Sequence, residues 1–163
     1  MIVLKNIKTM ASLSEETHCY SADLWFDGKK IGVVSNDGHG GCDRFHGDQA
    51  AYDRADAWCK ANLPTWDCNG TQEPTDLELR CGELVDAHVR AKELARFASK
   101  IVKESSKKVF LLDGDAVRHF TFKNTAAVDA RHIKAVQDKH PGLTVLNGKT
   151  KDEIQALLMA SAA

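Results

Sequence analysis

Two Asp-Gly pairs, Asp27-Gly28 and Asp113-Gly114, constrain the fold of this chain more than any other sequence feature. An Asp-Gly pair readily takes the positive φ angles of a two-residue turn, and it indicates a β-hairpin where strand-like apolar runs flank it. Both pairs have such runs on either side, and the run before Asp27 alternates as a half-buried strand does. We therefore predict two antiparallel hairpins. Their strands are 18–26 with 30–35, and 109–112 with 116–122.

Apolar residues at helical spacing predict four helices in the remainder of the chain. Asp48 can cap the first helix, Thr75 or Asp76 opens the long second helix, and Thr125 can cap the third. The segment 150–153 is a capping box for the last helix. Further predicted boundaries are helix ends near Leu63, Glu104 and Lys139, an irregular loop at 64–75 and an edge strand at 143–146.

The connections between these elements indicate the fold class. Strands joined mostly by tight turns favour an α+β fold over a doubly wound parallel sheet. We predict an antiparallel sheet built from the two hairpins plus an N-terminal strand at 2–8, packed against the long central helix and the smaller helices. With 163 residues, the chain is long enough for one ordinary core and too short for two comfortable domains. A single domain over 1–163 is therefore expected.

The overall charge and composition exclude some partners. The formal net charge is -1, so the chain as a whole exerts no electrostatic attraction on nucleic acid or an anionic membrane, and such binding would need a local patch. Residues 1–8 lack signal-peptide features, and no apolar run approaches the ~18 residues of a membrane span. Five cysteines without a disulfide-framework spacing are typical of a reducing compartment. We expect a cytoplasmic protein with no membrane partner.

The glycine-rich segment 36–46 concentrates the residues that are most able to carry chemistry. Its pattern His39-x2-Cys42-x3-His46 places two imidazoles and a thiol at a spacing that suits a tetrahedral zinc ion. Three such ligands plus water would suit a metal-dependent hydrolase, whereas four would make a structural site. The alternative is a turn in which the glycines take unusual φ values and Cys42 fills a small apolar gap. A fourth ligand would come from Cys59 or Cys68.

The second half of the long helix carries a basic ridge, with cations at i, i+4, i+8, i+11 and i+15. Such a ridge can meet phosphates or an acidic partner. The alternative is a solvated face, since acids near the start of the helix and bases near its end complement the macrodipole. No aromatic residue interrupts the ridge, which argues against a stacking platform for single strands. The residues of the basic ridge are Lys92, Arg96, Lys100, Lys103 and Lys107.

Two tryptophans are candidate anchors for a protein interface. Trp25 lies on the less apolar side of its predicted strand, and Trp66 lies in the predicted loop at 64–75. For Trp25 the alternative is burial beneath a helix that covers this face of the sheet. Together with the glycine-rich segment, the tryptophans form a predicted binding surface. Its members are Trp25, Asn36, Asp37, Gly38, His39, Gly40, Gly41 and Trp66.

Several motifs carry a resemblance that covers most of the chain. They are Ser14-Glu15-Glu16-Thr17, the strand 20–26, Asp27-Gly28-Lys29 and the run Asn36 to Cys42, followed by the later apolar hairpin and the Leu146-Asn147 turn. In these motifs the chain resembles a family of small proteins from bacteriophages and bacterial genomes that has no assigned activity. The resemblance implies a phage or prophage accessory protein and supplies no catalytic residue. Such proteins often bind host machinery, including defence systems.

Three functional hypotheses follow. The leading one is a non-catalytic accessory protein that binds a host protein, with an inhibitor of a host defence system as one form. The second is a small metal-dependent hydrolase that uses the loop residues His39, Cys42 and His46. The third is nucleic-acid binding through the basic ridge. Bound zinc would favour the second hypothesis, and salt-sensitive binding to nucleic acid would favour the third.

Overall fold

A computed structural model describes residues 1–161 of the chain. These residues form four α-helices and nine strands, and the strands pair antiparallel in three sheets. The predicted α+β fold with a long central helix is confirmed. The strands are β1 Ile2–Thr9, β2 Tyr20–Phe26, β3 Lys29–Asn36, β4 Arg44–Gly47, β5 Trp66–Cys68, β6 Thr71–Glu73, β7 Lys108–Asp113, β8 Ala116–Thr121 and β9 Thr144–Val145. The helices are α1 Gln49–Asn62, α2 Leu77–Glu104, α3 Ala130–Lys139 and α4 Lys151–Ser161.

The contacts of the chain divide it into two compact units, Met1–Val89 and Arg90–Ala163. Helix α2 runs through the boundary between them. The two predicted hairpins fall in different units, so each belongs to a sheet of its own. The single domain expected from chain length stays a prediction.

The first unit contains a four-stranded sheet in the order β1-β2-β3-β4. The β2–β3 turn has positive φ at Asp27 and Gly28, as the Asp-Gly pair predicts. Alternate residues of the strands face a core that they share with α1 and the start of α2. This arrangement explains the alternating sequence pattern before Asp27. The buried residues of this core are Ile2, Tyr20, Ala22, Leu24, Val34, Ala55, Cys59, Leu77, Cys81 and Val85.

Two segments that were expected to be irregular form strands instead. Strand β4 pairs with β3, and Phe45 turns inward from it to pack on Tyr52 with ring centroids 4.7 Å apart. A strand of four residues with one large apolar side chain gives too little periodicity to be recognised. The expected loop at 64–75 contains the hairpin β5–β6, whose turn is formed by Asn69-Gly70 with Asn69 at a φ of 55°. The Asn-Gly pair was the available signal for this hairpin.

The second unit is built around strand β7, the middle strand of the sheet β8-β7-β9. Phe110 and Leu112 face one cluster, which includes residues of α2 and α4, and Val109 and Leu111 face a second cluster with Val136 of α3. Burial on both faces explains why this strand is a continuous apolar run. The predicted hairpin over 109–122 is confirmed, but its turn is shifted by one residue. Asp113 pairs with Ala116, so the turn residues are Gly114 and Asp115 rather than Asp113 and Gly114.

Helix α3 begins later than the sequence suggested. Its cap is Asp129, whose carboxylate accepts the backbone N–H groups of Arg131 and His132, so the predicted start at Thr125 is wrong. Both residue types cap helices, but Thr is the weaker of the two. The hydrogen bonds from His132, with that from Arg131, hold the pKa of Asp129 well below its ordinary value.

One side chain joins three segments of the second unit. The Oδ1 atom of Asn147 accepts the N–H of Phe110 at 2.7 Å, and its Nδ2 atom donates to the carbonyls of Ser105 and Lys108 at 3.1 and 2.7 Å. This amide completes the hydrogen bonding of β7 beyond the end of β9, where a neighbouring strand would otherwise be needed.

Replacing Asn147 with Ala should therefore destabilise the protein. Three hydrogen bonds are lost and partly buried backbone groups are left unpaired, so we expect the free energy of unfolding to fall by about 2–3 kcal/mol. Urea denaturation followed by circular dichroism measures this change. Gln137→Ala on the exposed side of α3 is the control. A fall no larger than that of the control would contradict the role assigned to Asn147.

Candidate functional site

An acidic cleft in the first unit is the best candidate for a functional site. It has a volume of about 510 Å³ and lies among the segment 14–18, the ends of β2 and β3, the loop 37–43 and the start of α2. None of the described residues that line it is Lys or Arg, and His18 is the only basic side chain among them. Its carboxylates belong to Glu15, Glu16, Asp43, Glu78 and Asp86.

The side chain of Asn36 holds the cleft together. It is 8% exposed, and its Oδ1 atom accepts from the hydroxyl of Thr17 at 2.8 Å and from the N–H of Gly38 at 2.9 Å. Its Nδ2 atom donates to the carbonyl of Gly41 at 2.8 Å and to Asp43 at 3.0 Å. Both acceptor sites and both donors of the amide are therefore used, which removes the cost of burying it. The result is a fixed position for the loop 37–43, which we call the glycine loop.

Gly38 brings the glycine loop into close contact with the preceding segment. Its φ is +93°, and a Cβ atom here would lie 2.1 Å from the carbonyl oxygen of Leu13, so no other residue fits without a shift of the backbone. Its own carbonyl oxygen accepts the N–H groups of Glu15 and Glu16 at 2.9 and 3.1 Å, and that of Thr17 at 3.4 Å. Residues 14–17, which we call the rim of the cleft, are thus attached to the glycine loop by backbone contacts.

A half-buried acid, Asp43, lines the cleft. The hydroxyl of Tyr20 donates to the carboxylate of Asp43, and the backbone N–H of Asp43 donates to Glu78 at 2.9 Å. Burial raises the pKa of Asp43 above its ordinary value and the charge of Glu78 adds to this, although hydrogen bonds from Tyr20 and Asn36 act in the opposite direction. Burial also raises the pKa of Tyr20, so its hydroxyl stays neutral and able to donate. A cation placed here would relieve the crowding of negative charge.

The two histidines near the rim each lie beside a carboxylate. The Nε2 atom of His18 is 2.9 Å from Asp86, and the Nδ1 atom of His39 is 3.2 Å from Glu15. All four side chains are more than a third exposed. These contacts are therefore weak, and a stronger cation can displace them.

The three predicted metal ligands are not brought together as a zinc site. Within residues 1–161 no group of three His, Cys, Asp or Glu side chains could hold a metal ion. His46 is exposed on strand β4, next to the inward-facing Phe45, while His39 precedes the strand and lies beside Glu15. Cys42 is exposed on the glycine loop. The described residues therefore contain no assembled ligand set for the hydrolase hypothesis, which stays a prediction.

The two cysteines considered as a fourth ligand also lie elsewhere. Cys59 is fully buried in the core of the first unit, and burial raises the pKa of its thiol to about 11. Cys68 is half-buried on β5. A thiol with a raised pKa is a poorer metal ligand, because the thiolate is the form that binds metals.

The predicted binding surface is divided by the structure. Asn36 and Gly38 are buried and support the loop from within, whereas Asp37, His39, Gly40 and Gly41 are exposed. Of these four, Gly41 lines the acidic cleft, His39 lies beside the cleft residue Glu15, and Asp37 is paired with Arg44. The prediction missed other residues of the cleft, among them Tyr20, Asp43, Glu78 and Asp86.

Neither tryptophan lies on the glycine loop. Tyr20 is at the end of β2 that lies beside Asn36, and Trp25 is near the opposite end, where it pairs with Lys30. The five-residue step from Tyr20 to Trp25 corresponds to about 17 Å along the strand. The ring of Trp25 is half-buried beneath Lys5, whose Nζ atom is 3.6 Å from the ring centroid. Trp66 is 42% exposed on β5, as an interface anchor would need.

Comparison of the chain with models of protein families, with curated proteins and with solved structures gives no match. None of the helices within residues 1–161 combines the length and the hydropathy that crossing a bilayer requires. The functional argument therefore rests on the geometry of the acidic cleft and on the charge distribution around it.

Asn36→Ala should lower stability more than an ordinary surface substitution does. Four hydrogen bonds of a buried amide are lost, so we expect the free energy of unfolding to fall by about 2–4 kcal/mol. Asn62→Ala is the matched control, because Asn62 is exposed and its side chain makes a single hydrogen bond, to the carbonyl of Trp58. An equal fall in the free energy of unfolding of the two variants, measured by urea denaturation, would contradict the structural role assigned to Asn36.

Asp43→Asn should change how stability depends on pH. Because the pKa of Asp43 is raised in the folded state, its contribution to stability is complete below its unfolded pKa and is lost as pH rises through the folded value. The amide keeps the shape and cannot ionise. The unfolding free energy of wild type minus that of the variant should therefore decrease as pH rises from about 4 toward neutrality. Thermal unfolding over this pH range measures the difference. A difference that increases with pH would contradict the raised pKa of Asp43 in the folded state.

Proposed function

We propose that this protein binds a host protein and that its acidic cleft receives a basic segment of that partner, with a Lys or Arg side chain inside. The observation that carries the proposal is the set of five carboxylates around one concave surface with no Lys or Arg among its described lining residues. A guanidinium group suits such a site best, because its planar donors can pair with two carboxylate oxygens at once.

The inner wall of the cleft suits the stem of a long basic side chain. Leu79, Gly82 and Val85 on the first turns of α2 line it beside the acids. Lys and Arg place their methylene groups against apolar surface while their charged ends reach polar groups. Asp43, held by Tyr20 and Asn36, would face the charged end.

Exposed apolar residues next to the rim support an extended contact with the partner. Met10 and Leu13 are 53% and 46% exposed, and they precede the cleft residue Ser14. Apolar side chains that surround a buried charge pair exclude water and so strengthen the contact. A partner segment with both a basic and an apolar residue would match this surface.

The rim should change little on binding. The side chain of Asn36 and the carbonyl of Gly38 already hold the glycine loop and the segment 14–17 in place. Preorganised loops lose less conformational entropy when a partner binds. The choice of a host protein as the partner follows from the resemblance to phage and prophage proteins. Inhibition of a host defence system and a cytoplasmic location belong to the same proposal.

Two isosteric substitutions in the cleft provide the test. Glu78→Gln and Asp86→Asn together remove two charges and keep the hydrogen-bond acceptors for Asp43 and His18. Glu73→Gln with Asp53→Asn is the matched control, since both residues are exposed outside the cleft. We expect fluorescent peptides that contain Arg and Leu to bind wild type and the control, and to bind the cleft variant at least about tenfold more weakly.

The same three proteins, immobilised and exposed to bacterial lysate, extend the test to host partners. A protein retained by wild type and by the control, and lost by the cleft variant, would be the proposed partner, and its purified form should repeat the difference in affinity. Equal retention by all three proteins would contradict the proposal. Peptides in which Glu replaces Arg should bind no better than background, and tight binding of such peptides would contradict it as well.

A further inference from the structure

The two units carry opposite charge. Residues 1–89 contain eight Lys and Arg against fifteen Asp and Glu, a net charge of -7, whereas residues 90–163 contain fourteen against eight, a net charge of +6. The formal net charge of -1 for the whole chain conceals this division. A strongly basic unit attracts anions independently of what an acidic unit in the same chain does, because screening limits each field to its neighbourhood.

The basic ridge concentrates the charge of the second unit on one side of α2. Its five residues are all exposed. Four of them lie on α2 away from Ala98 and Ile101, which this helix buries in the core, and Lys107 lies beyond the end of the helix at Glu104. Lys92 and Lys103 are eleven residues apart, so the helical part of the ridge extends about 16 Å along the axis. A surface of this length can face several phosphates of a duplex, which carries one charge per about 1.7 Å.

None of the five ridge cations forms an ion pair with another described residue. Elsewhere in the same unit cations are paired, as Arg118 is with Asp113 and Arg131 is with Asp129. The ridge is therefore free to pair with an anion from outside, since no neighbouring carboxylate occupies its charges.

The end of the ridge lines a pocket with a volume of about 610 Å³, which we call the lysine surface. Glu104, the one acid among the described residues that line it, is already paired with Lys108 at 2.7 Å, and this hydrogen bond holds the pKa of Glu104 below its ordinary value. The remaining cations therefore give the surface an excess of positive charge. The residues that line it are Ser99, Lys100, Lys103, Glu104, Lys107 and Lys108.

The helix macrodipole does not account for the ridge. Its favourable effect on cations is limited to the last turn of a helix. Helix α2 ends at Glu104, so Lys92 and Arg96 lie two to three turns before that end. Like charges at i, i+4, such as Lys92 with Arg96 and Arg96 with Lys100, weaken a helix rather than support it. An anionic partner would remove this repulsion.

We propose that the basic ridge and the adjoining lysine surface bind the sugar–phosphate backbone of duplex nucleic acid, independently of base sequence. Lys and Arg with a Ser hydroxyl are backbone-contacting groups. Single strands stack successive bases on several aromatic side chains, whereas Phe97, 39% exposed beside Arg96, is the one Phe, Tyr or Trp of α2. An anionic membrane fits less well, because the apolar face that an interfacial helix inserts is here packed on the core around Ile101.

The test measures binding of a short fluorescent DNA duplex of mixed sequence by anisotropy at several salt concentrations. The ridge variant carries Lys100→Gln, Lys103→Gln and Lys107→Gln, which preserve helix propensity. The control carries Lys123→Gln, Lys139→Gln and Lys151→Gln, which remove the same charge from exposed positions elsewhere in this unit. Circular dichroism shows that both variants are folded before they are compared.

We expect wild type and the control to bind the duplex, and the ridge variant to bind at least about tenfold more weakly, with a salt slope smaller by about one for each lysine removed. An equal loss of duplex affinity in the two variants would show that binding depends on net charge alone, and it would overturn the proposal. Tighter binding of the matching single strand, or binding only to vesicles that contain phosphatidylserine, would also overturn the proposal. The Glu78→Gln, Asp86→Asn variant should bind the duplex as wild type does, which separates this result from the acidic cleft.

Discussion

The hydrogen bonds of the buried Asn36 amide are the interaction on which the acidic cleft depends. Burying an amide is unfavourable unless each of its polar atoms has a partner, and here all four positions are used. Through these bonds the end of β3 holds the glycine loop and orients Asp43. The rim segment then attaches to the carbonyl of Gly38. Loss of one side chain would therefore disturb several groups that are remote from it in sequence.

In the second unit, the side chain of Asn147 also forms hydrogen bonds with backbone groups at the end of a strand. Asn147 supplies hydrogen bonds where β9 ends, as Asn36 does where β3 ends. In both places an amide side chain offers a donor and an acceptor together, which is what an interrupted strand pairing lacks. The units differ in what they present to solvent, because carboxylates crowd the cleft of one and lysines crowd the ridge of the other. One chain thus carries a surface rich in carboxylates and a separate surface rich in lysines.

Local signals predicted much of the fold and little of the site. The Asp-Gly hairpins, the long helix and the N-terminal strand could be recognised because the residues that specify them are close in sequence. Strand β4 and the start of α3 were missed, since one inward Phe45 gives no period and Thr125 and Asp129 both resemble caps. The zinc spacing assumed a single loop from His39 to His46, whereas His46 belongs to strand β4.

The acidic cleft itself could not be predicted from local sequence patterns. Its carboxylates come from positions 15 to 86, and only the packing of the sheet against α2 brings them to one surface. The charge of the two units was concealed for a different reason, because an average over the chain cancels opposite halves. Counting charge along the sequence in separate windows would have revealed the basic half without a structure.

The distribution of the five thiols has a practical consequence for labelling. Cys19, Cys59 and Cys81 are buried, Cys68 is half-buried, and Cys42 is exposed on the glycine loop. Burial raises the pKa of Cys59 and of Cys81, so these two are poor nucleophiles at neutral pH. A maleimide dye in limiting amount should therefore couple first at Cys42. The loop would then carry a fluorescent reporter between Gly41 and Asp43, two residues that line the cleft.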